Sequence, residues 1–160
     1  MKLPERKYIG AFCVGILWGL IIAFIFSIVF FRHCLIKEYE STMNFDDTIK
    51  TVTAKAQTVK GWIVKSGPCS LPKPADGTKM WTVTLCNANY ASQMLNDEGS
   101  RKIASAIPCT FAIYEKKDGK TYISRMNVKL LGYLLGGKPA IVFPQNVWPE
   151  QETMLDKVIR

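Results

Sequence analysis

Redox and metal chemistry in a small domain rests most often on cysteine and histidine. This 160-residue chain carries five of the first, Cys13, Cys34, Cys69, Cys86 and Cys109, and one of the second, His33. Cys13 lies inside a long apolar run, where a thiol serves as a small packing residue. Cys34 stands just beyond that run, a place for lipidation or a cross-link to a partner. Cys86 ends one predicted strand and Cys109 begins another, so the two are candidate neighbours in a sheet. Three readings stay open for this pair. They form a structural disulfide or two inert buried thiols, they line a pocket for a small ligand, a metal or a reactive sulfur species, or they act as a catalytic redox couple. The last lacks the Cys-x-x-Cys spacing that depresses a thiol pKa. The first requires Cα atoms within about 7 Å, which spacing along the chain does not fix.

Other chemistries are thinly supplied. One histidine cannot build a His-rich metal site, and there is no Cys-x-x-Cys-His haem attachment. No His-Glu-x-x-His zinc motif occurs, and the 35–160 region has no histidine for a Ser-His-Asp triad. Gly136-Gly137-Lys138 is followed by Pro139 rather than by the Ser or Thr of a phosphate loop. Asp46-Asp47 reads as charge in the first turn of a helix. Neither a catalytic constellation nor a cofactor is expected.

The element that must position the rest is the uncharged run from Tyr8 to Phe31. As a helix its 24 residues extend about 36 Å, enough to cross the hydrocarbon core with some tilt. Ala11, Gly15, Gly19, Ala23 and Ser27 recur at every fourth position and form one smooth seam, the kind of surface through which membrane helices approach one another. Trp18, beside Gly19, is placed to pack on a neighbouring helix. The run exceeds the 7–15 apolar residues of a signal peptide and ends in Phe30-Phe31-Arg32-His33, with no small-x-small cleavage site. A retained anchor is expected. Lys2, Arg6 and Lys7 precede it, which favours an N-terminus inside the cell. Residues 33–160 then lie outside, in the periplasm for a Gram-negative source, and His33 is a polar anchor at the bilayer surface.

The chain thus divides into a tail and membrane helix, 1–34 with the span at about 8–31, and one domain, 35–160. The whole chain carries a formal charge of +8. The segment from His33 onward holds 17 Lys or Arg against 12 Asp or Glu. These charges are dispersed rather than gathered on one face, which argues against nucleic acid. They suit a solvated surface drawn mildly to anionic lipid or an acidic partner.

Strand and helix signals alternate along the domain. Leu35–Ser41 reads as a strand, then Asn44 or Thr42 caps a helix whose stripe is Phe45, Ile49, Val52 and Ala56. Gly61 ends it, Trp62–Ser66 is a strand, Gly67–Gly77 is a loop and Met80–Cys86 alternates as a half-buried strand. Tyr90, Ala91, Met94 and Leu95 mark a short helix, and a more polar one runs near Ser100–Ile107. Thr110–Glu115 and Lys120–Arg125 flank an Asp118-Gly119 turn and form a hairpin. Val128–Leu135 is apolar enough for a buried helix closed by Gly136-Gly137. Pro144 and Pro149 bracket an irregular stretch, and Glu150–Ile159 closes the chain as a helix. Trp62, Trp81 and Trp148 fall on different elements and suit packing. The order implies an α+β domain, a mostly antiparallel sheet with helices on one face, preceded by a single transmembrane helix.

Two segments carry a resemblance. Thr84-Leu85-Cys86-Asn87-Ala88-Asn89-Tyr90-Ala91 and Ile107-Pro108-Cys109-Thr110-Phe111-Ala112-Ile113-Tyr114-Glu115, with Asp118-Gly119-Lys120 and Ser124-Arg125-Met126-Asn127, resemble the family called domain of unknown function 302. The likeness runs over roughly Ile36 to Ile159. It implies a compact α+β domain able to dimerise, and it implies no activity. The anchor is an addition, and Ala88 stands where many relatives have proline.

The function expected from these features is non-enzymatic. The chain reads as a single-pass subunit of the cell membrane, docked through its helix seam on an integral membrane protein complex or on a second copy, and covering the partner's outer face. The alternative is a tethered module that binds a small ligand, a metal or reactive sulfur through Cys86 and Cys109.

Overall fold

The computed structural model describes residues 6–69 and 74–160, with side chains left aside at Arg6–Ile9, Ala11 and Cys13. The chain divides into two compact units, Met1–Cys34 and Leu35–Arg160. The first is one helix, α1 (Arg6–Cys34). Its stretch Val14–Cys34 has a mean hydropathy of 2.7 and is long and apolar enough to cross a membrane. An ideal Cβ built on Gly15 or Gly19 meets nothing within 4 Å. The Ser27 hydroxyl donates back to the Ala23 carbonyl at 2.8 Å, so its polar atom is spent inside the helix. The side chain of Ala11, the first residue of the expected seam, and that of Cys13 lie outside the described residues.

The second unit is built on β1 (Ile36–Glu40), β2 (Trp62–Pro68), β3 (Met80–Asn87), β4 (Cys109–Glu115) and β5 (Thr121–Met126), in the order β1-β5-β4-β3-β2. Every pairing is antiparallel. The α+β class, the antiparallel sheet and the hairpin at Asp118-Gly119 follow the sequence reading. Between β1 and β2 runs α2 (Phe45–Thr58), capped as expected by Asn44, whose side chain accepts from the Asp47 N–H at 2.9 Å. Then come α3 (Ala88–Leu95), a 3-10 segment Glu98–Ala106, α4 (Val128–Leu135), α5 (Pro139–Val142), a π turn Phe143–Val147, and α6 (Trp148–Leu155).

Alternation sends Val83, Leu85, Phe111, Ile113 and Ile123 to one face, where they are fully buried with Val52 and Ala56 of α2 and Met154 and Leu155 of α6. None of the residues directed to the other face, Thr82, Thr84, Ala112 and Ser124 among them, is buried. Ser124, Ala112, Thr110, Met126 and Ile36 line an open groove there of about 320 Å³. A second cluster, Met94, Ile103, Val128, Val142, Phe143 and Val147, lies between α3, the 3-10 segment and the α4–α5 hairpin.

Four expectations are corrected. Strand β2 continues through Gly67 to Pro68 at the edge of the sheet, the place where sheets accept proline. The rest of that expected loop includes residues 70–73, which lie outside the described residues. Helix α4 is only partly buried: Val128 and Gly132 are enclosed, while Tyr133 and Leu134 are exposed. The stretch between Pro144 and Pro149 is helical. The α5, π and α6 segments follow one another without a break, with αR backbone at Val142, Phe143, Val147 and Trp148. The Trp148 N–H skips back five residues to the Phe143 carbonyl, the wider turn that lets proline sit inside a helical run. Finally, α6 ends at Leu155, and Ile159 instead bridges Ser41.

Candidate functional site

Trp62 and Cys109 each pack against both clusters, so the joint between them is where sheet, α3 and α6 meet. Cys109 opens β4 directly across from Leu85, on the covered face. Cys86 is the next residue of β3 and pairs with Ile63 of β2. Alternation starts Cys86 toward the opposite face from Leu85 and Cys109, yet at this strand end it borders the same cavity as Cys109. The sequence reading placed the two cysteines on neighbouring strands, and they are there, but one step out of register. Cys34, Cys69, Cys86 and Cys109 form no disulfide with one another.

Burial dominates the electrostatics of Cys109. It pushes the thiol from 9.0 up to about 11, with the Gln151 amide opposing and Cys86 adding to the rise. A thiol so displaced stays protonated at neutral pH and is a poor nucleophile. Around it lies a cavity of about 20 Å³ lined by Cys86, Cys109, Trp62, Tyr90, Met94 and Phe143, among others. That is room for one water-sized group. Among the described residues, no group of three or more His, Cys, Asp or Glu side chains is placed to hold a metal ion.

The rim of this cavity holds a polar knot that sequence reasoning missed. Glu150, in the first turn of α6, accepts from the Trp62 indole N–H on one oxygen and from the Tyr90 hydroxyl on the other, the latter at 2.6 Å. The Tyr90 pKa rises to about 12, first because of that bond, then by burial and the charge of Glu150. Trp62 and Tyr90 also meet edge to face with ring centroids 6.1 Å apart. Asn87 caps α3 by accepting from the N–H groups of Asn89 and Tyr90, which fixes Tyr90 above β3. Ala88 opens the same helix.

A second buried group is Arg125 on β5, 2 % exposed on the covered face. Its guanidinium lies over the Trp148 ring at 4.0 Å and pairs through Nη2 with Glu152, while Nε and Nη1 have no partner. Burial lowers its pKa. The other two tryptophans of the domain find packing and a hydrogen bond each, Trp81 donating to the Ser66 hydroxyl at 2.8 Å. The strand alternation Ile123-x-Arg125 was the signal for a core-facing arginine. Nothing in the spacing of Trp62, Tyr90 and Glu150 announced that they meet.

The crystal structure of an uncharacterized conserved protein DUF302 from Bacillus stearothermophilus is similar in fold, with a TM-score of 0.63 at 16% identity over 79% of this chain and 99% of that one. No match is found among curated proteins. Residues 76–159 match the family described as Domain of unknown function DUF302, which has no assigned activity. That match spans more than half of the chain and includes Cys86, Tyr90, Cys109, Arg125 and Glu150, so the chain belongs to the DUF302 family.

Proposed function

We propose that the protein is a non-catalytic, single-pass subunit of the cell membrane. In this reading α1 crosses the bilayer with its N-terminus in the cytoplasm, and the DUF302 domain stands on the extracytoplasmic side. The helix docks along its seam, Ala11, Gly15, Gly19, Ala23 and Ser27, on a larger membrane complex, and the domain covers that partner's outer face. The observation that carries it is the unbroken four-residue spacing of small residues along a helix whose stretch Val14–Cys34 is long and apolar enough to cross a membrane. Close backbone approach is the main source of helix association in lipid, and bulky side chains on a seam block it.

Changing Gly15→Leu together with Gly19→Leu tests this. Co-purification and native mass after gentle detergent extraction should fall to those of the bare chain, with membrane insertion kept. An assembly of unchanged mass and composition sinks the seam.

A second reading, a tethered binding module, is favoured by the cavity that both Cys86 and Cys109 line. Copper or a persulfide donor should then shift the melting temperature of the wild type and not of the Cys86→Ser, Cys109→Ser variant. Equal shifts in both remove these cysteines.

A further inference from the structure

Among the described residues of the 35–160 unit, six large apolar side chains are at least 40 % exposed: Ile36, Ile63, Met126, Tyr133, Leu134 and Ile141. All six belong to one end of the domain. Ile36 opens β1, Ile63 lies at the start of β2 and Met126 closes β5, and the antiparallel order sets all three at one end of the sheet, Ile36 directly across from Met126 and Ile63 on the opposite edge strand. Tyr133, Leu134 and Ile141 ride on the α4–α5 hairpin, which begins two residues after Met126. The opposite end is charged, with the Lys116–Lys120 turn and the ion pairs of Lys116 with Glu38 and of Lys120 and Arg160 with Glu40.

The apolar end is also where the chain arrives from α1. Leu35 follows Cys34 directly, and its carbonyl accepts from the Asn127 N–H at 2.7 Å, one residue before α4. The eight residues of α4 extend about 12 Å, so Tyr133 and Leu134 stay on the same end of the domain as Leu35. Exposed cations flank the hairpin, Lys129 and Lys138 on it and Arg101 and Lys102 on the 3-10 segment. The Lys138 N–H to Ser100 hydroxyl bond at 3.3 Å ties that segment to the hairpin. These four cations are opposed locally by Asp97 and Glu98, and none of the four is in a salt bridge among the described residues.

We infer that this end of the domain rests on the anionic lipid surface of the bilayer that α1 crosses, with Tyr133, Leu134 and Ile141 dipping into the headgroup boundary and the four cations meeting lipid phosphates. An apolar face with a basic rim is the pattern that binds such a surface. Lys and Arg keep their charge in the headgroups while their stems cover apolar surface. A covalent tether a few residues away keeps the local lipid concentration high, so a weak contact suffices. The inference rests on the anchoring proposed above.

The test uses the full chain in nanodiscs of phosphatidylcholine and phosphatidylglycerol doped with a gadolinium-chelating lipid, read by amide relaxation. Amides at 126, 133, 134 and 141 should be enhanced several-fold over those at 116–119. Tyr133→Asp, Leu134→Asp and Ile141→Asp together, all at exposed sites, should cut the hairpin's enhancement by half or more. Omitting phosphatidylglycerol should lower it about two-fold. Equal enhancement at both ends overturns the contact and leaves the anchor standing. Slow solvent exchange at 133–141 without lipid enhancement assigns the face to a protein partner and overturns it too. A chain that fails to enter nanodiscs overturns the anchor and this contact together.

Discussion

Gly132 of α4 and Pro139 of α5 are packed so closely that a Cβ on Gly132 would stand 2.6 Å from the Pro139 carbonyl oxygen and 3.1 Å from the Phe143 Cβ. Both contacts are on or next to backbone, so neither can swing aside. Gly132→Ala should destabilise by about 1–3 kcal/mol, the range for overpacking, against a gain of about 1 kcal/mol in helix propensity. Urea unfolding of the full chain in detergent measures it. Gly67→Ala, where a Cβ meets nothing within 4 Å, is the control. Equal midpoints for the two variants would show that the hairpin yields.

The same contact shows what the sequence could and could not say. The Asn44 cap, the stripe Phe45, Val52, Ala56 and the hairpin around Asp118-Gly119 are local, and local patterns express themselves directly. Helix α4 reads as apolar all round, which says that it packs but not on how many sides. Only the crossing at Gly132 decides that Tyr133 and Leu134 stay outside. In the segment from Phe143 to Trp148 two prolines read locally as an interruption, whereas a π turn accommodates both. At the candidate site, Cys86 and Cys109 were found on neighbouring strands by their strand-end positions. Their one-step offset depends on register, and the meeting of Trp62, Tyr90 and Glu150 joins residues 88 positions apart at its widest.

The burial of Cys109 makes it slow to react. With its pKa at about 11 instead of 9.0, its thiolate fraction near pH 8 is lower by about 100-fold. Because a more basic thiolate is also more nucleophilic, alkylation by iodoacetamide at pH 8, quantified by mass spectrometry, should be at least about 10-fold slower at Cys109 in the folded chain than in urea. Comparable rates in both would mean that the thiol is open to solvent.

Tyr90 predicts an alkaline loss of stability. Its pKa rises from 10.0 to about 12 because the hydroxyl donates to Glu150, so the folded chain holds this proton more tightly than the unfolded one. The contribution is complete below pH 10, falls as pH climbs from 10 to 12 and is absent above. Tyr90→Phe removes it. The wild type should exceed the variant by about 1–2 kcal/mol near pH 8, and the difference should shrink between pH 10 and 12. Burial of Cys109 gives a similar decline between about 9 and 11, but it is common to both chains and cancels. A difference that stays constant from pH 9 to 12 would remove Glu150 as the cause.

Arg125 and Glu152 predict an asymmetry between breaking a pair and removing it. The Arg125 side chain is 1% exposed and Glu152 47%, so nearly all of the desolvation falls on the cation. With Nε and Nη1 unpartnered, that cation depends on Glu152, on the Trp148 ring and on the Tyr39 hydroxyl, which accepts from Nη2 at 3.4 Å. Glu152→Gln leaves the buried charge with weaker partners and should cost about 1–3 kcal/mol. Arg125→Met removes the charge and keeps an unbranched chain against Trp148, so it should cost less, or stabilise, as replacements of buried ion pairs often do. With Arg125→Met in place, Glu152→Gln should be nearly neutral, since Glu152 is half in solvent. Urea midpoints of the two single variants and the double variant complete the cycle. If Arg125→Met proved the more damaging single change, the guanidinium would be held by interactions stronger than those with Glu152, Trp148 and Tyr39.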